Sequence, residues 1–100
     1  MTLTQLRYVI AIADTHSMNE AARTLFIAQP SLSQAVKELE EEIGITVFHR
    51  SNRGVSITPE GEEFLGYARQ VVEQYRLVEG SVKAWGADQT PLSLTKTEKA

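Results

Sequence analysis

Side chains able to do covalent or metal chemistry are few in this sequence. His16 and His49 are the two histidines, and there is no cysteine. Two imidazoles with no thiolate and no matched spacing make a poor zinc site. No spacing of Ser, His and Asp forms a triad. No catalytic residue, metal or cofactor is expected. What the sequence does carry in pattern is hydrogen-bonding capacity and charge. Ser31, Ser33, Gln34, Lys37 and Glu38 fall opposite the apolar positions Leu32, Ala35, Val36, Leu39 and Ile43. Arg50 and Arg53 lie at or near the turn-like run Ser51-Asn52-Arg53-Gly54. Hydroxyls, an amide and cations so grouped can recognise a polar surface. Taken singly, they also have a plain reading as a solvated helix face and two surface arginines.

The elements that must position these groups follow from the hydrophobic period. Thr2-x-x-Gln5 fits a capping box and opens an apolar stripe through Leu3, Leu6, Val9, Ile10 and Ala13. This first helix should end near residue 13. Ser17-x-x-Glu20 is a second capping box. It starts a short helix, SMNEAARTL, with Ala21, Ala22 and Leu25 inward; the alanine pair allows close approach of another helix. After Phe26-Ile27-Ala28 comes Gln29-Pro30, with proline in the first turn of a third helix. Leu32, Ala35, Val36, Leu39 and Ile43 form its buried face, and Gly44 its stop. Ile45 to Arg50 and Val55 to Ile57 are rich in β-branched residues around a turn composition, which predicts a hairpin. Thr58-Pro59 reads as N-cap and first helical residue of a long fourth helix. Its residues Phe64, Ala68, Val71, Tyr75, Val78, Val82 and Trp85 are spaced 4, 3, 4, 3, 4, 3, with Leu65 and Val72 alongside. That is a heptad seam.

Composition bounds the rest. Hydrophobic residues make up 42% and charged residues 23% of 100 residues, an ordinary balance for one small soluble domain. MTLTQLRY has neither the basic nor the apolar stretch of a signal peptide, and no apolar run spans a bilayer, so a cytoplasmic protein is expected. The formal net charge is −3, which argues mildly against a nucleic-acid partner. Residues 1–58 carry five basic and six acidic side chains, so no segment there is strongly basic. Any such partner must be met by where the cations sit.

Helix, short helix, turn, helix, hairpin is the winged helix-turn-helix order. In it the third helix presents its N-terminal residues to base edges in the major groove, while the second helix crosses the backbone with its first-turn N–H groups near a phosphate. Wing arginines reach the minor groove, whose negative potential deepens over narrow A·T tracts. The fold expected is mainly α: three helices plus a two-stranded wing over residues 1–58, then a dimerisation helix over 59–85. Residues 86–100, polar and without period, are expected to be disordered.

The run SMNEAARTLFIAQPSLSQAVKELEEEIGITVFHRSNRGVSITPEG resembles the amino-terminal domain of LysR-type transcriptional regulators. The features carrying the likeness are the Ala21-Ala22 pair, Gln29-Pro30 and Leu39-Glu40-Glu41-Glu42 before Gly44. The strand Val47-Phe48-His49-Arg50 and the start Thr58-Pro59-Glu60-Gly61 complete it. The resemblance implies major-groove roles for Gln29, Pro30, Ser31, Ser33 and Gln34, and a phosphate-contacting or base-proximal role for Lys37. It implies backbone and minor-groove roles for Arg50 and Arg53, and a phosphate facing Ser17, Met18 and Asn19. Ala28 departs from the family's frequent serine or threonine cap. Gln34 stands where an arginine is frequent, which shifts the expected base from guanine towards adenine. The family continues into an effector-binding domain, and residues 86–100 do not look like that domain's first strand. No small-molecule effector site is expected in this chain.

The partners expected are a pseudo-palindromic double-stranded DNA and a second copy of the chain, with no membrane. The fourth helix is too long for a domain of under sixty residues to cover, so pairing with a second copy is expected along Phe64, Leu65, Ala68, Val71, Val72, Tyr75, Val78, Val82 and Trp85. The alternative is a dimerising interaction module with weak or no DNA binding, able to form mixed dimers with a full-length regulator. The low net charge and the missing cap at Ala28 favour it.

Overall fold

Each helix start in the chain is built by a short polar side chain or by a proline, and each joint before β2 carries a residue with positive φ. The computed structural model describes residues 1–87. The order is α1 (Leu3–Thr15), α2 (Met18–Leu25), α3 (Gln29–Ile43), β1 (Phe48–Ser51), β2 (Gly54–Ile57) and α4 (Pro59–Ala87). Gly86 and Ala87 thus belong to α4, and the rest of the tail expected to be disordered lies outside the described residues.

At α1 the capping box closes: Gln5 N–H donates to Thr2 Oγ1 at 3.1 Å, and Thr2 N–H donates to Gln5 Oε1 at 2.9 Å. The helix runs to Thr15 rather than residue 13, because Thr15 Oγ1 bonds back to the Ala11 carbonyl at 2.9 Å and keeps the last turn wound. His16 then ends it at φ 55°. At α2 only half of the expected box forms. Glu20 N–H donates to Ser17 Oγ at 3.1 Å, but the Glu20 carboxylate takes Arg23 at 2.8 Å. The Ser17 N–H faces Thr15 Oγ1 instead. Phe26, at φ 59°, turns the chain towards α3. Ala28 occupies the α3 N-cap without a side-chain hydrogen bond, Pro30 sits in the first turn, and Gly44 at φ 77° stops the helix.

The core lies where α1, α2 and α3 meet. Val9, Ile12, Ala21, Leu32 and Leu39 are fully buried there, with Val36 and Val47 beside them. Burying one such aliphatic side chain contributes about 1.5–3 kcal/mol. The alanine pair works as expected: Ala21 and Ala22 are buried between neighbouring helices.

The wing is a two-stranded antiparallel sheet in the register Phe48↔Ile57, His49↔Ser56, Arg50↔Val55 and Ser51↔Gly54. Strand pairing begins at Phe48, three residues later than the composition predicts. The cause is Glu40 of α3, whose Oε2 accepts the N–H groups of Val47 at 2.7 Å and Phe48 at 3.1 Å. Ile45 to Val47 is thereby tied to α3. Thr58 caps α4 by accepting the Gly61 N–H at 2.8 Å. Gly61 is required by proximity, since a Cβ there would stand 2.5 Å from the Val47 carbonyl oxygen.

The seam on α4 divides into two parts with different partners. Leu65 and Ala68 are buried and Phe64 is half-buried against the chain's own core, with α4 packed on α1. These three positions, expected in a dimer seam, are instead covered within the chain because the apolar stripe of α1 reaches them. Arg69 bonds Asp14 at 2.7 Å and Arg7 lies 5.5 Å over the Tyr75 ring, extending the same packing. On α4 itself, hydrogen bonds from Arg76 to Glu73 at 3.1 and 2.7 Å hold the Glu73 carboxyl below its ordinary pKa and raise that of Arg76.

Candidate nucleic-acid interface

The starts of α2 and α3 and the wing converge on one open groove of about 290 Å³. Ser17 and Asn19 border it from α2, Gln29 from α3, and Arg50, Ser51 and Asn52 from the wing. The first-turn N–H groups of a helix have no acceptor within it, and the helix dipole adds partial positive charge there. The groove therefore combines open backbone donors, hydroxyl and amide groups and a guanidinium: the chemistry that holds a phosphate.

Met18 also lines the groove, from the start of α2. Its side chain is buried in the core, with Ala21, Ala22 and Leu25 following at helical spacing. The spacing 0, 3, 4, 7 from Met18 marks the inward face of α2.

The α3 residues stand as the wheel predicts. Pro30, Ser31, Gln34 and Lys37 are exposed, while Gln29 and Ser33 are half-buried. Pro30 brings no N–H, so the exposed first turn offers side chains rather than backbone donors. One turn further, Gln34 Nε2 donates to Glu38 Oε2 at 3.0 Å. Among the described residues Lys37, Arg50 and Arg53 stand outside every ion pair, whereas Arg23, Arg69 and Arg76 are each neutralised by a carboxylate. Arg7, over the Tyr75 ring, and Lys83 on α4 are also outside every ion pair among the described residues, but α3 and the wing carry three open cations, with Arg50 lining the groove, which partly offsets the unfavourable net charge.

Two positions that hold the wing in place were not legible as such. Val55 N–H donates to the His16 carbonyl at 3.1 Å, so the return strand is seated on the joint between α1 and α2. Gly54, at φ 119°, allows this approach; a Cβ there would stand 2.8 Å from the His16 oxygen. The two-residue turn Asn52-Arg53 is steadied by a hydrogen bond from Arg53 N–H to Ser51 Oγ at 3.2 Å. Ser51 and Asn52, read from the sequence as turn residues only, also line the groove.

Away from the groove, α4 presents Val71, Tyr75, Val78, Val82 and Trp85, which are 50, 46, 58, 50 and 63% exposed. Val72 is half-buried. No helix among the described residues is long and apolar enough to cross a membrane. No group of three or more potential metal ligands occurs among the described residues.

Comparison with known proteins places this geometry in a family. A sequence model described as "Bacterial regulatory helix-turn-helix protein, lysR family" matches residues 3–62. The uncharacterized HTH-type transcriptional regulator YcgK of Bacillus subtilis (strain 168) is 44% identical over 72 residues, 72% of this chain and 22% of that protein. The chain thus spans about a fifth of that relative's length. Among solved structures, a complex titled BenM_DBD/catB site 1 DNA aligns with TM-score 0.80 and 39% identity, covering 84% of this chain and 94% of the other. The CbnR_DBD–DNA complex aligns with TM-score 0.79 and 33% identity, covering 84% and 97%. The chain belongs to the LysR family of bacterial regulatory helix-turn-helix proteins.

Proposed function

We propose that the chain binds double-stranded DNA sequence-specifically as a dimer, and that it is the DNA-binding part of a bacterial transcription regulator acting in the cytoplasm. The observation that carries this reading is the shared groove, where the start of α2, the start of α3 and Arg50 of the wing face one space. In this reading a phosphate sits against Ser17, Asn19, the Met18 N–H and Arg50. Gln29, Pro30, Ser31, Ser33 and Gln34 meet base edges in the major groove, Lys37 meets backbone, and Arg53 enters the minor groove. Structures of similar domains bound to DNA support it.

Dimerisation is proposed through Val71, Val72, Tyr75, Val78, Val82 and Trp85, the part of the α4 seam that the chain's own core leaves uncovered. Two copies then place their α3 helices in successive major grooves of an inverted repeat, about 34 Å apart.

Fluorescence anisotropy titration of labelled duplexes over a range of salt concentration tests the reading. Affinity is expected to fall linearly on logarithmic axes with a steepness set by the phosphates neutralised. Absence of duplex binding at low salt, from folded protein, would favour the dimerising interaction module.

A further inference from the structure

Glu38 is out of place on a DNA-facing helix. It is an exposed carboxylate on the same face as Ser31, Gln34 and Lys37, one turn beyond Gln34. Beside a phosphate backbone such a charge is repelled, so any use it has must lie elsewhere. Its position on α3 points to one. Side chains on a helix lean towards its N-terminus, so residue i+4 reaches back over residue i. Glu38 does so: its Oε2 accepts a hydrogen bond from Gln34 Nε2 at 3.0 Å. The direction of the amide follows from chemistry alone. A carboxylate only accepts, so the NH₂ of Gln34 must face it and the amide oxygen must point away.

We propose that Glu38 is a positioning residue for base recognition, holding the Gln34 amide so that it reads adenine. This rests on the reading of α3 as the helix that meets base edges. The Gln34 NH₂ has two hydrogens. In the proposal, the one trans to the amide oxygen, on the side of Gln34 Cγ, is donated to Glu38. The other shares an edge with the oxygen. That edge is the acceptor–donor pair that matches N6–H and N7 of adenine in the major groove. Without Glu38 the amide turns freely and can present either end, and the match must be selected at an entropic cost on binding. The carboxylate has a second, separate effect. Its repulsion of phosphate is felt on every duplex alike. Glu38 therefore lowers general affinity, while the difference between right and wrong sites comes from the orientation of the Gln34 amide.

The test compares the full wild-type chain with Gln34→Ala, Glu38→Gln and Glu38→Ala, each selected against the same random duplex library. Anisotropy titrations of the winning duplex and its single-base variants follow. Glu38 is exposed, and retained helical circular dichroism shows each variant to be folded. The Gln34→Ala protein is expected to lose its preference at one position per half-site. At that position Glu38→Ala is expected to lose about tenfold of the preference for adenine, while binding unrelated duplexes more tightly than wild type. Glu38→Gln keeps an acceptor oxygen without the charge, so it is expected to retain the adenine preference and still bind unrelated duplexes more tightly. A pair that merely supports the helix would leave base preference unmoved in all Glu38 variants, and that result would overturn the proposal. If Gln34→Ala loses no position, Gln34 reads no base and the proposal falls there. If the wild-type chain enriches no sequence, the failure is in the base-reading role of α3 itself, visible before any Glu38 variant is made.

Discussion

At the scale of single residues, Arg53 concentrates the wing's charge. It lies in the two-residue turn between β1 and β2, exposed and outside every ion pair among the described residues. A cation so placed meets backbone and groove potential rather than one base. Arg53→Ala is therefore expected to weaken binding on all duplexes alike and to reduce the logarithmic salt slope by about one. Unchanged affinity and slope in anisotropy titrations would remove Arg53 from the interface. The polar face of α3 was legible because five polar side chains share one side of a helix whose other side is wholly apolar. Met18 lines the groove although its side chain is largely buried. Its place at a helix start invites a phosphate role, but the helix phase points its side chain into the core. Glu40 was hidden altogether, because nothing local marks a helix glutamate as the acceptor for two N–H groups seven and eight residues on.

At the scale of elements, the recognition helix begins without a side-chain cap. Ala28 has the extended backbone of an N-cap residue, φ −71° and ψ 140°, but nothing to accept from the first turn. Ala28→Ser supplies that oxygen without altering the backbone. The expected gain is about 1 kcal/mol, read as a rise in melting temperature of about 4–8 °C for a domain of this size. A melting temperature at or below that of wild type would mean that α3 starts under a constraint the serine cannot share. The missing cap was visible in the sequence, as were the α1 box and the Thr58 cap of α4. The late start of β1 was not, because Ile45 to Val47 has strand composition and is diverted only by Glu40. The α2 box failed for a comparable reason: Thr15 and Arg23, both outside the four-residue motif, take the two groups it needs.

At the scale of the molecule, α4 gives the chain its length: its extents are 57 × 26 × 19 Å. Heptad spacing shows that a helix has an apolar seam and says nothing of what covers it, so the division of the seam at about residue 70 needed the fold. Val78 lies in the uncovered part, between Tyr75 and Val82 on one side of α4. Val78→Asp is expected to halve the particle mass in sedimentation while leaving helical content intact, and to weaken binding to a two-site duplex about a hundredfold as avidity is lost. A variant with unchanged mass would place the dimer contact elsewhere. The central claim, a dimer that reads sequence, is met most directly by selecting bound duplexes from a random library with the purified chain at moderate salt. The expected result is an enriched inverted repeat with an A·T-rich interior, its half-sites one helical turn or a multiple apart. No enrichment from a folded chain would contradict that claim and leave a dimerising interaction module as the function of this domain.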